Sequence, residues 1–224
     1  MNPSAKVTSY NAPLPYVYIE NLYTEKELSL IYNELDFYQE SGDLFFDRNS
    51  SETMSATDDR GKNQKKNGGF FLHTLWQSAK SPIGRFTAGV FGPKVFHHES
   101  NYFFNQFAPQ MTGFLVSYYE NKDYYKPHRD LDVATLVIWV WKEPKKFSGG
   151  DFSFTDFPDV KYETANNCAV LFPGQYRHQV NPVKMDDDIG DETGLGRYSF
   201  TLFLDHMPTE RAMKREHEQQ QRRQ

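Results

Sequence analysis

The residues of this chain with the clearest chemical potential are His128 and Asp130. They stand two positions apart at the end of the stretch FLVSYYENKDYYKPHRD, Phe114 to Asp130. On an extended strand, positions i and i+2 share a face, so an imidazole and a carboxylate are expected to aim at one spot. One histidine and one carboxylate are two members of the 2-His-1-carboxylate set that holds non-haem Fe(II) with coordination positions left open. So short a motif recurs by chance, and its weight depends on what else the chain supplies. A second histidine, His178, follows a Pro-Gly turn in FPGQYRHQVNPV. Arg197 then opens RYSFTLFLD, whose other positions are mostly apolar or aromatic. A charge facing inwards from such a strand needs an anionic partner. A guanidinium suits a carboxylate, to which it donates two parallel hydrogen bonds. The adjacent pair His97-His98 diverges on helix and strand alike, and is read as packing rather than as ligands.

The elements that must position these groups are mostly strands. After Pro109 come Phe114–Glu120, the nearly continuous apolar run TLVIWVW (Thr135–Trp141), Asp151–Thr155, a shorter strand near Lys161–Glu163, CAVLF (Cys168–Phe172), His178–Val183 and Arg197–Asp205. Short strands separated by Gly and Pro turns, with no helices between them, indicate an antiparallel sandwich or jelly roll. Before them, residues 1–15 read as a loose arm and Tyr16–Ile19 as a short strand. Thr24-Glu25-Lys26-Glu27 is a capping box ahead of Leu28, Ile31, Tyr32, Leu35 and Tyr38 at helical spacing, a helix ending near Ser41 that covers one face of a sheet. Ser81-Pro82 reads as an N-cap and N1 of a short helix that runs to Gly92-Pro93. The polar segment from Ser50 to Gly69 reads as a long loop or twisted hairpin. The plain reading is a solvated surface loop; the functional alternative is a lid or binding loop, which loops of that length in compact domains often are.

A length of 224 residues suits one domain of ordinary size, or one with modest additions. Its aromatic load, 19 Phe and 14 Tyr, suits pleated surfaces and agrees with a β-rich core. A net charge of −5 argues against a general nucleic-acid binder, which carries a basic surplus. The single cysteine, Cys168, rules out an internal disulfide and leans towards a reducing compartment. No apolar run approaches the roughly 20 residues of a membrane span, and the N-terminus lacks a secretory signal. The expectation is a soluble, cytoplasmic protein with no membrane partner.

In this order, these residues resemble the prolyl-4-hydroxylase-like branch of the Fe(II)/2-oxoglutarate dioxygenases. The resemblance joins Tyr118 ten residues before His128, the His128/Asp130 pair, Ser148-Gly149-Gly150-Asp151, the Phe172-Pro173 turn before His178, and Arg197-Tyr198-Ser199. It is close over about residues 110–206 and loose over the N-terminal strand and helix. It implies a mainly β fold with flanking helices around a double-stranded β-helix (jelly roll) core at 110–206. Residues 1–109 supply the supporting strand, helices and lid loop, and 207–224 a charged tail, in one globular domain. Two departures stand out. The acidic insert Met185–Glu192 lengthens the connection to Arg197, and Ile138, Trp139 and Val140 stand where some relatives carry a tyrosine.

The resemblance implies His128, Asp130 and His178 as ligands of Fe(II), with 2-oxoglutarate and dioxygen as co-substrates and ascorbate as reductant. Arg197 would take the far carboxylate of 2-oxoglutarate, assisted by Ser199, Thr201 and Tyr118. The presence of Asp130 argues for hydroxylation, since halogenating relatives replace that carboxylate with a small residue. Tyr125 sits where prolyl hydroxylases present an aromatic to substrate. In prolyl hydroxylases a segment before the main sheet often folds over the peptide, so Lys62, Lys65 and Lys66 are expected to make this loop a basic lid for an extended peptide. A prolyl residue in a peptide or protein is the first substrate reading, a free amino acid or other small molecule the second, and nucleobase repair the third. The non-enzyme alternative is a jelly-roll binding module without turnover, which would be expected to have lost a ligand or the cation.

Overall fold

The computed structural model describes residues 1–41, 61–72, 80–96, 101–105 and 107–206. The expectations for residues 50–60, for His97-His98 and for the tail from 207 lie outside them. In chain order the elements begin with β1 (Lys6–Tyr10), β2 (Tyr16–Glu20), α1 (Glu25–Ser41), β3 (Lys65–Lys66), β4 (Gly68–Phe71), α2 (Pro82–Thr87) and α3 (Pro93–Phe96). The strands β5 (Pro109–Tyr119), β6 (Tyr124–His128), β7 (Ala134–Val140), β8 (Phe147–Gly149) and β9 (Phe152–Phe154) follow. Then come β10 (Cys168–Pro173), β11 (His178–Val180), β12 (Val183–Met185) and β13 (Arg197–His206).

The strands form the jelly roll expected from the sequence. A larger antiparallel sheet runs β1-β2-β10-β7-β13-β5-β4, and a smaller one β3-β6-β11-β9, with β8 and β12 paired separately. Alternation decides what each face does. On the outer face of the larger sheet, Leu136, Ile138, Val140, Tyr198, Phe200 and Leu202 join Ile31 and Leu35 of α1 in one buried core. On the inner face, Val137, Trp139, Val170 and Phe172 meet Phe152, Phe154 and Val180 of the smaller sheet in a second core. The continuous apolar run of β7 thus serves two cores, and all seven of its residues are buried.

The helical signals read from sequence have their physical partners. Glu27 accepts from the Thr24 backbone N–H at 2.8 Å, and the Thr24 hydroxyl accepts from the Glu27 N–H at 3.3 Å, closing the capping box. Ser81 caps α2 through Gly84 N–H at 3.0 Å, with Pro82 at the first helical turn. Glu34 of α1 accepts from Ile83 N–H at 2.7 Å and so ties the two helices together.

Three expectations change. Residues 6–10 are a strand, not part of a loose arm: β1 pairs with β2 along its length, a contact made by backbone and therefore invisible to hydropathy. The segment 61–72 is not a free loop, because β3 joins the smaller sheet beside β6 and β4 joins the larger beside β5. The sheets therefore extend beyond 110–206. Finally, Lys161–Glu163 is not a strand. Tyr162 lies over Trp139, ring centroids 6.1 Å apart, and the Glu163 carbonyl accepts from the Tyr18 hydroxyl at 2.6 Å. The segment is anchored by side chains rather than by a ladder.

Candidate active site

The two histidines come together because β11 pairs with β6 and sets His178 directly opposite His128. Each ring is fixed by a backbone carbonyl two residues earlier, Nδ1 of His128 lying 2.8 Å from the Lys126 oxygen and Nδ1 of His178 2.9 Å from that of Tyr176. A carbonyl only accepts, so Nδ1 carries the proton and Nε2 presents its lone pair. Burial pushes both imidazoles down to about 4, which keeps them neutral near pH 7. The Tyr125 ring stacks on His128 at 3.5 Å between centroids and 11° between planes, which further fixes its orientation.

Asp130 lies beyond the end of β6, not on the extended strand that the i, i+2 argument assumed. The loop supplies what the strand does not. The Asp130 backbone N–H donates to the Gly174 carbonyl at 2.9 Å, and the Thr135 hydroxyl donates to Oδ2 at 2.5 Å. Gly174 packs so closely that a Cβ there would lie 2.4 Å from the Asp132 oxygen and 3.2 Å from Asp130 Cβ. The carboxylate stands 3.8 Å from His128 Nε2 and 3.6 Å from His178 Nε2. Those separations are too long for hydrogen bonds, and with neutral imidazoles they are not ion pairs. They are the spacing of ligand atoms around a common centre, and the three lie within 4.8 Å of one another. Burial raises the Asp130 carboxyl above its ordinary value while the Thr135 hydrogen bond opposes the shift; a divalent cation would favour the ionised form.

The cavity at this centre is lined by Leu115, Tyr119, Tyr125, His128, Val137, Phe152, His178, Val180, Ser199, Thr201 and Phe203. Ser199 and Thr201 are therefore on the wall. Tyr118 is not. It faces the outer core, its hydroxyl accepting from Gly196 N–H at 3.0 Å, and Tyr119 takes the inner face. Counting ten residues back from His128 picked the wrong member of a Tyr-Tyr pair, and on a strand one residue reverses the face.

Arg197 pairs with Tyr119 across β13 and β5 and is 1% exposed. Its guanidinium lies over the Tyr119 ring at 4.6 Å and donates through Nη1 to the Gly150 carbonyl, leaving Nε and Nη2 buried with no partner. Burial pushes it down to about 10, so it stays charged at neutral pH. Gly150, at φ +70°, has room for this arrangement only without a side chain: a Cβ would meet Val183 Cγ2 at 2.8 Å. Trp139, opposite Ser199 in the β7–β13 ladder, likewise has a buried indole N–H without a partner. In sequence Trp139 was no more than a departure from a family pattern. The orphaned donors of Arg197 and Trp139 on the inner faces of adjacent strands fit a buried carboxylate, and the three ligand atoms fit a metal ion.

Of the residues assigned to the substrate, Tyr125 lines the cavity and Lys65 is buried beside it. Lys66 is exposed and pairs with Asp123 at 3.3 Å, and Lys62 is exposed. The acidic insert does not lie over the cavity. Met185 belongs to β12, and the Glu192 N–H donates to Glu120 at 2.7 Å.

Fold and site together define a jelly roll that gathers a His-Asp-His set and a buried guanidinium in its interior. Residues 114–205, which contain every one of these groups, match the family model of the 2OG-Fe(II) oxygenase superfamily. The cofactors that go with it are Fe(II), 2-oxoglutarate and dioxygen. Among solved structures the chain is similar to a Pseudomonas putida prolyl-4-hydroxylase, at 13% identity and TM-score 0.51, over 88% of this chain and 95% of that one. It is similar to a Trichoplax adhaerens prolyl hydroxylase in complex with a hypoxia inducible factor peptide fragment, at 14% and 0.54, over 85% and 83%. It is also similar to EctD from S. alaskensis, solved with 2-oxoglutarate and 5-hydroxyectoine, at 10% and 0.50, over 92% and 85%. Identities this low show a shared fold. A comparison with curated proteins found no match. No helix among the described residues is long and apolar enough to cross a membrane.

Proposed function

We propose that the chain is an Fe(II)- and 2-oxoglutarate-dependent dioxygenase that hydroxylates a prolyl residue in a peptide or protein. One observation carries the reading: three ligand atoms converge in the same interior that holds a fully buried guanidinium with two unpaired N–H groups. Leaving a charge so placed without an anion costs stability, and a bound carboxylate beside a bound metal would offset that cost.

His128, Asp130 and His178 would hold Fe(II), and Arg197 the far carboxylate of 2-oxoglutarate, with Ser199, Thr201, Tyr119 and Trp139 near it. Bound iron, with 2-oxoglutarate and dioxygen, supplies oxidation of an unactivated C–H to an alcohol with release of succinate and CO2, ascorbate serving as reductant. The protein's part is orientation and exclusion of water. Leu115, Val137, Phe152, Val180 and Phe203 make most of the cavity wall apolar, which strengthens each polar contact inside it. Thr135 holds Asp130 as an acceptor, and the two backbone carbonyls hold the imidazole lone pairs towards the centre.

The prolyl reading draws on the two prolyl hydroxylases to which the fold is similar, one of them solved with a peptide, and on the Tyr125 ring at the cavity wall. The test is mass spectrometry of synthetic proline-containing peptides incubated with Fe(II), 2-oxoglutarate and ascorbate. One oxygen gained on proline supports the reading. Oxygen gained only by free amino acids or other small molecules moves the substrate to that class.

A further inference from the structure

Lys65 is held unlike any other lysine among the described residues. Backbone pairing of β3 with β6 sets Lys65 opposite Tyr125 and Lys66 opposite Tyr124. Strand alternation then turns Lys66 outwards and Lys65 inwards, where it is 7% exposed. Its Nζ lies 5.6 Å from the centre of the Tyr125 ring, the same ring that stacks on His128 and lines the cavity. Neighbouring lysines find oxygen partners: Lys66 pairs with Asp123, and Lys126 donates to the Asn63 carbonyl at 3.2 Å. No carboxylate among the described residues pairs with Lys65. A cation–π contact recovers only part of the cost of burying an ammonium. Burial alone pushes the group down to about 8, so it remains mostly protonated at neutral pH. A lysine held in place by backbone pairing, with no carboxylate partner among the described residues and one aromatic ring away from the metal-ligand cluster, is placed to take an anion. It is not the place for the far carboxylate of 2-oxoglutarate, because Arg197 sits on the other sheet.

We propose that Lys65 is an anion-binding subsite for the main substrate, which carries a carboxylate close to the carbon that is oxidised. The proposal rests on the reading of the cavity as an oxygenase site, and it narrows the substrate to acids. The carboxylate has two possible sources: an acidic side chain beside the target residue of a peptide, or the α-carboxylate of a free amino acid.

The experiment is calorimetric binding to protein loaded with Mn(II) and 2-oxoglutarate, using matched acid and amide probes. One pair is a blocked Asp-Pro peptide against its Asn-Pro counterpart, the other L-proline against L-prolinamide. Wild type should bind the acid of one pair about tenfold more tightly or better, and the pair that shows this names the source. Lys65→Met and Lys65→Gln should erase the preference, and Lys65→Arg should keep part of it. No preference in either pair, or a preference that survives both uncharged variants, overturns the proposal. The same peptides with leucine for proline separate the two readings. An acid preference that persists there, with no oxygen gained on the proline peptides, removes the prolyl assignment and leaves Lys65 in its role.

Discussion

At the scale of single residues, the site depends on groups whose cost in the empty protein has a compensating partner in the loaded one. Arg197 is the clearest case. Arg197→Lys keeps the charge and loses the fork, so the KM for 2-oxoglutarate should rise. Arg197→Ala also leaves the bound carboxylate unpaired and should weaken binding by about 2–5 kcal/mol. Steady-state kinetics at varied 2-oxoglutarate check both, and wild-type KM values in both would place the carboxylate elsewhere. The two adjacent tyrosines give a contrast in roles. Tyr118→Phe removes an acceptor for Gly196 N–H on the outer face. It should cost on the order of 1 kcal/mol in denaturant unfolding and leave the KM for 2-oxoglutarate alone. A raised KM with unchanged stability would return Tyr118 to the cavity. The convergence of His128, Asp130 and His178 was legible in sequence from the His-x-Asp spacing and the Pro-Gly turn before His178, and Arg197 from its place on an apolar strand. Which tyrosine faces inwards was not legible, since face is a matter of register and register is fixed by pairing.

At the scale of elements, the strands that carry apolar alternation were readable and those that depend on partners were not. β7, β10 and β13 announce themselves by composition. β1, β3 and β4 are held by backbone bonds to strands far away in sequence, so their polar and glycine-rich sequences resemble loops. The basic segment expected to be a lid is instead, over residues 65–71, a bridge between the two sheets, which is why Lys65 has a fixed position. Asp130 carries the same lesson. Its place depends on the Pro173-Gly174 turn packed against it, a contact between segments far apart in sequence. Gly174→Ala would push a methyl into the Asp132 carbonyl and displace the Asp130 loop. Metal affinity measured by Mn(II) titration should fall by about 10–100-fold, the range for lost outer support of a metal ligand. Unchanged affinity would mean that the loop holds its shape without the turn.

At the scale of the whole molecule, the acid-base behaviour should carry the signature of Lys65. Its folded value of about 8 lies below the ordinary 10.5, so between those two values the unfolded chain binds more protons than the folded one. Stability must rise with pH across that window on account of this group. Below pH 8 the full cost of the buried charge is present. Lys65→Met should therefore be more stable than wild type at pH 7, and the difference should shrink as pH approaches 10.5. Urea unfolding of both proteins at several pH values checks this. A variant less stable than wild type at pH 7 would show that the ammonium has a structural partner.

The central claim is that His128, Asp130 and His178 form a working metal centre fed by a co-substrate held on Arg197. The most direct measurement is succinate released from 2-oxoglutarate by the purified protein with Fe(II), dioxygen and ascorbate, beside His128→Ala and His178→Ala. An open site of this kind is not a structural staple, so both variants should unfold cooperatively, close to wild type. The account predicts succinate release by wild type, dependent on Fe(II), and none above background from either variant. Folded wild type that binds Fe(II) and 2-oxoglutarate but releases no succinate, or a variant that releases it at the wild-type rate, would contradict it.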